Sequence, residues 1–185
     1  MENLKIQIDT HKMIDDKIIY RKANPTDVIK LSILFKTVYI QTYGMDGVSD
    51  EFANFIAKQF SVDRLHELIA NNLDTVIVAV YKDNLVGVVE IEFDKKCPID
   101  NIVAPELNKL YILEWFCGKG IGYNLLAEAE KIVKSKGINE MWLWVLVTNT
   151  RAISFYERQN FKWIGNAPFQ MEKNSYDNKV MLKQF

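Results

Sequence analysis

Between Leu107 and Val147 the chain reads as strand, glycine turn, helix, strand, and few folds accept that order in so short a span. Leu107 to Leu113 is dense in aliphatic and aromatic residues, as a buried strand requires, and Gly118, Gly120 and Gly122 follow it. Ile121, Leu125, Leu126, Ala129, Ile132 and Val133 then recur at helical spacing, so one apolar stripe faces a sheet. Glu140 to Val147 has few polar gaps, the pattern of a strand covered on both faces. A right-handed crossover places it beside Leu107 to Leu113 and parallel to it.

Three glycines in five residues at a helix start leave backbone N–H groups without Cβ atoms in the way and without intrahelical partners. The helix dipole adds roughly half a positive charge there and Lys119 a full one, so a phosphate or diphosphate is the natural guest. The plainer alternative is a turn whose glycines serve tight packing alone. A Walker A loop needs Ser or Thr after Gly-Lys, but Gly120 follows Lys119. A dinucleotide fingerprint fits poorly too: Tyr123 stands where its third glycine belongs, and Glu140 precedes the next strand instead of ending it.

The chain has 185 residues, 49% of them hydrophobic, enough for one domain with a sizeable core. A formal charge of -1 gives no general pull toward nucleic acid or anionic membrane, and no apolar run approaches the ~18 residues of a membrane helix. Cys97 and Cys117 without a CxxC motif, and only His11 and His66, suggest neither a disulfide framework nor a metal site. His66 reads as a surface or satisfied histidine. The N-terminus, with Glu2, Lys5 and Asp9, lacks the apolar core of a signal peptide, so a cytoplasmic address is the simplest expectation.

Residues 1–17 are weakly patterned apart from Leu4, Ile6 and Ile8, and read as an extension or an added edge strand ahead of a domain at 18–185. Ile18 to Arg21 reads as a first strand, and Asn24-Pro25-Thr26-Asp27 as the start of a helix that buries Val28, Leu31, Leu34, Phe35, Val38 and Tyr39. Val48 to Asn72 reads as two helices hinged near Phe60-Ser61, with Ser61 as a cap. Thr75 to Tyr81 and Leu85 to Phe93 form a hairpin around Lys82-Asp83-Asn84. Its alternation sets Glu90 and Glu92 opposite Val89, Ile91 and Phe93, so the two acids lie on a solvated face or else wall an acceptor site for a cation. Asp94 to Pro105 is too irregular to assign. Phe161 to Gly165 and Lys179 to Phe185 are two further strands.

Two motifs carry a family resemblance. Cys117-Gly118-Lys119-Gly120-Ile121-Gly122 resembles the coenzyme A loop of the GNAT acyltransferases, Q/R-x-x-G-x-G/A, apart from its first position, where Cys117 replaces Gln or Arg. In that family the side chain helps at the phosphates while backbone amides carry most of the contact, so the departure implies weaker binding of the same ligand. Asn149-Thr150-Arg151-Ala152-Ile153-Ser154-Phe155-Tyr156, followed by Asn160-Phe161, resembles N-x-x-A-x-x-F-Y-x-x-x-G-F, with Asn160 where Gly is commoner. Asn tolerates the left-handed conformation that ends a helix. YIQTYG, LNKLYILEWFCGKGIG and MWLWVLVTNTRAISFYERQNFKWIG look most like the PaiA-type polyamine N-acetyltransferases. The implied fold is α/β (α+β): a mixed sheet of about six to seven strands with flanking helices and a splayed pair of parallel strands.

The resemblance implies acetyl transfer from acetyl-CoA to a small-molecule primary amine, with no metal. An alkylamine has a pKa near ~10 and must lose a proton before it attacks, so a base is required. Glu106 stands where many family members carry a glutamate linked to the acceptor, with Glu90 and Glu92 in reserve. Backbone groups of Leu110, Tyr111 and Ile112 would pair with the pantetheine arm and serve the oxyanion, and Tyr156 would protonate the leaving sulfur. Asn149 would hold the arm, cap a helix, or do both; Arg151 would reach the phosphates or sit on a solvated face. Tyr43, Asp46, Asp50, Glu51 and Asp94, with Glu90 and Glu92, would form an acidic rim for a polyamine. A GNAT fold that holds coenzyme A without catalysis is the rival from another class. Nothing in the chain decides between a monomer and a homodimer.

Overall fold

The computed structural model describes residues 17–71 and 75–185. Apart from Lys17, the expected N-terminal extension, with Leu4, Ile6 and Ile8, lies outside the described residues. The first strand, β1 (Ile19–Lys22), leads into a capping box in which the Thr26 amide donates to Asn24 Oδ1 and the Asn24 amide donates to Asp27 Oδ2. Arg21 holds the buried Asp27 through both guanidinium nitrogens, at 2.6 and 2.9 Å. Burial works against the charge, but the Arg21 and Asn24 bonds keep the Asp27 carboxyl below its ordinary range.

Helix α1 (Val28–Tyr43) follows and buries Val28, Leu31, Leu34, Phe35 and Val38, as its spacing requires. The helical region after it is two elements, α2 (Asp50–Gln59) and α3 (Val62–Asn71), each capped by a serine: Ser49 Oγ accepts from the Phe52 amide and Ser61 Oγ from the Arg64 amide. His66 is exposed on α3.

Strands β2 (Val76–Tyr81) and β3 (Asn84–Lys96) are joined by Lys82 and Asp83, both left-handed, so the hairpin turn has two residues. Asp94 to Pro105 is more regular than its composition suggests. It lengthens β3 and opens β4 (Val103–Ile112), and the turn between them carries left-handed Asp100 and Asn101. Helix α4 (Ile121–Ser135), β5 (Glu140–Leu146), α5 (Thr150–Arg158), β6 (Lys162–Gln170) and β7 (Ser175–Gln184) complete the order.

Among the described residues the seven strands form one sheet, β1-β2-β3-β4-β5-β7-β6, antiparallel except for β4 beside β5. That parallel pair registers only at Glu106 opposite Trp142, and beyond it the strands diverge. The divergence opens the sheet in its middle. Leu125, Leu126, Ala129 and Val133 of α4 cover one face, and Phe35, Phe60 and Leu65 of α1 to α3 cover the other. Full burial of each leucine, valine or phenylalanine among them contributes about 1.5–3 kcal/mol. Among the described residues no helix is long and apolar enough to cross a membrane.

Candidate active site

Strand β4 carries an extra residue at the site. Glu90 opposes Lys109 while Ile91 opposes Leu107, so Asn108 is left over as a bulge. The bulge turns Asn108 and Lys109 toward the face that carries Glu90, Glu92 and Glu106. Lys109 Nζ lies 2.7 Å from Glu90 Oε2, and Asn108 Nδ2 donates to both Glu90 and Glu92. Lys95 pairs with Glu92 at 2.7 Å. The solvated-face reading is corrected here: Glu90 is 0% exposed, because α1 to α3 cover the face it points to.

Glu106 is also buried and faces a cleft of about 430 Å³. Burial, reinforced by the neighbouring Glu92 and partly offset by Lys95 and Lys109, pushes its carboxyl up to about 7. It therefore stands close to half ionised at neutral pH, the condition in which a carboxylate best exchanges protons with an amine.

Beyond β4, a short turn (Glu114–Phe116) leads to the glycines. Gly118 and Gly120 have φ of +75° and +77°, and a Cβ on either would meet nothing within 4 Å. Their role is conformational. Gly122 differs: a Cβ there would lie 3.0 Å from Ile112 Cδ1 and 3.6 Å from the Phe155 ring, so this glycine serves close packing. Gly120 caps α4 without a side-chain bond, and the first helical bond runs from the Asn124 amide to Gly120 O. The amides of Ile121, Gly122 and Tyr123 precede it and have no intrahelical acceptor. Ile121 contributes its backbone alone, since its side chain is in the core. Lys119 lies with Nζ 5.3 Å from the centre of the Phe116 ring, away from the cleft lining.

Cys117 lines the cleft beside this loop. Burial raises its thiol, with Arg151 partly offsetting it, so the group stays neutral. Arg151 Nη1 reaches Glu114 Oε1 at 2.8 Å on the exposed lip. Asn149 caps α5, its Oδ1 accepting from the Ala152 amide at 3.1 Å. Tyr156, on the same helix, is buried edge-on against Phe155 and Phe161 at 5.3 and 5.5 Å, and burial raises its phenol above the ordinary range. Asn160 has φ of +66°, the left-handed helix ending that its side chain tolerates.

These groups converge. Leu110, Tyr111, Ile112, Cys117, Gly118, Gly120, Gly122, Asn149, Arg151 and Tyr156 line one cleft of about 660 Å³. Glu92 and Glu106 line the smaller one, and Tyr43, Asn108, Lys109, Tyr111 and Trp144 line both. The two clefts meet at the opened strands. The acidic rim does not assemble: Asp46 and Asp50 are exposed and line neither cleft, Asp94 is exposed at a left-handed bulge of β3, and Glu90 lies behind Lys109. Glu51 accepts from the Lys173 and Asn174 amides and so straps the β6–β7 turn to α2. Asn108, Lys109 and Trp144 escaped the sequence reading. The signal was two polar residues, Asn108 and Lys109, inside an apolar strand, which marks a bulge.

Among the described residues no group of three His, Cys, Asp or Glu is placed to hold a metal. The profile of the acetyltransferase (GNAT) family matches residues 45–161. A spermidine N(1)-acetyltransferase of Thermoplasma acidophilum is 31% identical over 148 residues, 77% of this chain and 86% of its own length. The structure of the PaiA N-acetyltransferase from the same organism, in complex with coenzyme A, superposes with a TM-score of 0.71 at 27% identity, covering 91% of this chain and 99% of that one. A ribosomal-protein-alanine N-acetyltransferase from Brucella melitensis shares the fold, with a TM-score of 0.69 at 20% identity over 90% of this chain and 99% of that one.

Proposed function

This chain belongs to the acetyltransferase (GNAT) family, an N-acetyltransferase using acetyl-CoA, and on that premise we propose how its two clefts divide the reaction. The larger cleft takes acetyl-CoA, with the diphosphate on the bare amides ahead of α4 and the pantetheine arm along Leu110 to Ile112, where the sheet is open. Arg151, held at the lip by Glu114, supplies the phosphate charge that Cys117 lacks. Asn149 meets the arm with the amide end that the helix cap leaves over.

The amine enters through the smaller cleft. Glu106 takes one of its protons, and the nitrogen lone pair forms a bond to the acetyl carbon. The carbonyl oxygen becomes an oxyanion facing backbone N–H groups of β4. On its collapse the C–S bond breaks, Tyr156 gives its proton to the departing thiolate, and the second proton shed by the new amide nitrogen returns to the phenolate. The observation that carries this reading is the meeting of the two clefts between a carboxyl poised near neutrality and a buried phenol. Spermidine, the substrate in the name of the Thermoplasma relative, is one acceptor to assay.

Thiol release from acetyl-CoA across a panel of primary amines tests the reading; the expected result is release that rises with amine concentration. Coenzyme that binds without any amine accelerating release would overturn it in favour of a binding module. Gly120→Ala separates the loop from the chemistry. At φ of +77° a methyl group costs about 1 kcal/mol of backbone strain. The melting temperature should fall by only about 2–4 °C. The Kd for coenzyme A should rise about tenfold as the amides turn away from the diphosphate, which isothermal titration measures.

A further inference from the structure

The smaller cleft is a ring-lined chamber. Tyr39 is its hub, with ring centres 4.4 Å from Tyr43, 5.6 Å from Phe52, 5.4 Å from Phe55 and 5.3 Å from Phe60. Phe55 also meets Phe169 of β6 edge-on at 6.0 Å. The charges of the lining do not favour a polycation: Arg64, Lys95, Lys96 and Lys109 stand against two carboxylates, Glu92 and Glu106. Glu92 is taken by Lys95 and Asn108, and the buried Glu90 behind the wall is taken by Lys109. Among the described residues no hydrogen bond reaches the Glu106 carboxylate, so one acid is left for one ammonium.

We propose that the acceptor is a primary monoamine on an apolar, ring-bearing body, an arylalkylamine, whose nitrogen meets Glu106 while the body lies among Tyr39, Phe52, Phe55 and Phe169. A triamine such as spermidine would bring further ammonium groups into the same chamber. An ammonium over an aromatic face gains about 0.5–2 kcal/mol. Taking it out of water costs several kcal/mol without a paired anion, and here lysines take up the anions. An aryl body has no such debt and gains by burial against the rings.

The inference rests on the assignment of this cleft to the acceptor, and one assay separates the two. Thiol release is measured with 2-phenylethylamine, hexylamine, putrescine and spermidine at saturating acetyl-CoA. The expected kcat/KM for 2-phenylethylamine exceeds that for spermidine by at least about tenfold, in line with the desolvation difference. Phe55→Ala and, at the more exposed rim, Phe169→Ala shrink that ratio through KM for the aryl substrate; Phe169→Ala keeps the test available should Phe55→Ala fail to fold. Spermidine as the preferred acceptor, or an unchanged ratio in both variants, overturns the inference and leaves the acetyltransfer reading standing. Silence toward all four amines overturns both.

Discussion

Phenylalanine in place of Tyr156 is expected to lower turnover about a hundredfold while the Kd for acetyl-CoA stays within about twofold. The ring is retained, so the edge-on contacts with Phe155 and Phe161 survive and the fold loses little. Only the hydroxyl goes, and among the described residues nothing hydrogen-bonds it. Burial raises the phenol, which keeps its proton at every pH at which the amine reacts. A donor that remains protonated can meet the sulfur as the C–S bond breaks; without it the thiolate must depart unprotonated or find water. Stopped assays at saturating acetyl-CoA give kcat, and equilibrium titration gives Kd. A loss of affinity comparable to the loss of turnover would make Tyr156 a binding or packing residue.

What the chain disclosed by itself was what depends on near neighbours. The glycines at 118, 120 and 122 announce a bare helix mouth because backbone freedom is a property of single residues, and Asn160 announces a left-handed ending for the same reason. The strand-turn-helix-strand order from 107 to 147 follows from periodicity alone. Glu90 was harder to read, since alternation shows that it faces away from Ile91 but not that three helices from earlier in the chain cover that side. Asp46, Asp50 and Glu51 are close in sequence to Tyr43, yet only Tyr43 lines the clefts, because the turn after α1 points the acids outward and Glu51 is engaged with the β6–β7 turn. The bulge at Asn108 brings Lys109 to the face that Asn108 shares with Glu106, and register is a relation between strands that no single strand contains.

The same relation makes Glu106 the most exacting test. Opposite Glu92 on the bulged strand pair, it should accept the acceptor's proton, and Glu106→Gln should remove that capacity without changing size. With the carboxyl at about 7, kcat/KM for the wild type climbs as Glu106 ionises and then levels off until the amine itself deprotonates near ~10. Glutamine must wait for amine already neutral in solution, about one part in a thousand at pH 7. The variant therefore loses about 10²- to 10³-fold at pH 7, and each further pH unit returns about tenfold. A variant profile with the wild-type shape, merely scaled down, would rule out Glu106 as the base. Stability supplies an independent reading. A carboxyl raised from its ordinary value to about 7 binds its proton more tightly in the folded chain, so stability declines as pH rises from about 4.5 to about 7. At 1.36 kcal/mol per pKa unit, the decline is about 3 kcal/mol, and glutamine escapes it. Glu106→Gln should thus melt above the wild type at pH 8, with the gap closing below about pH 4.5, where Glu106 is protonated in both states.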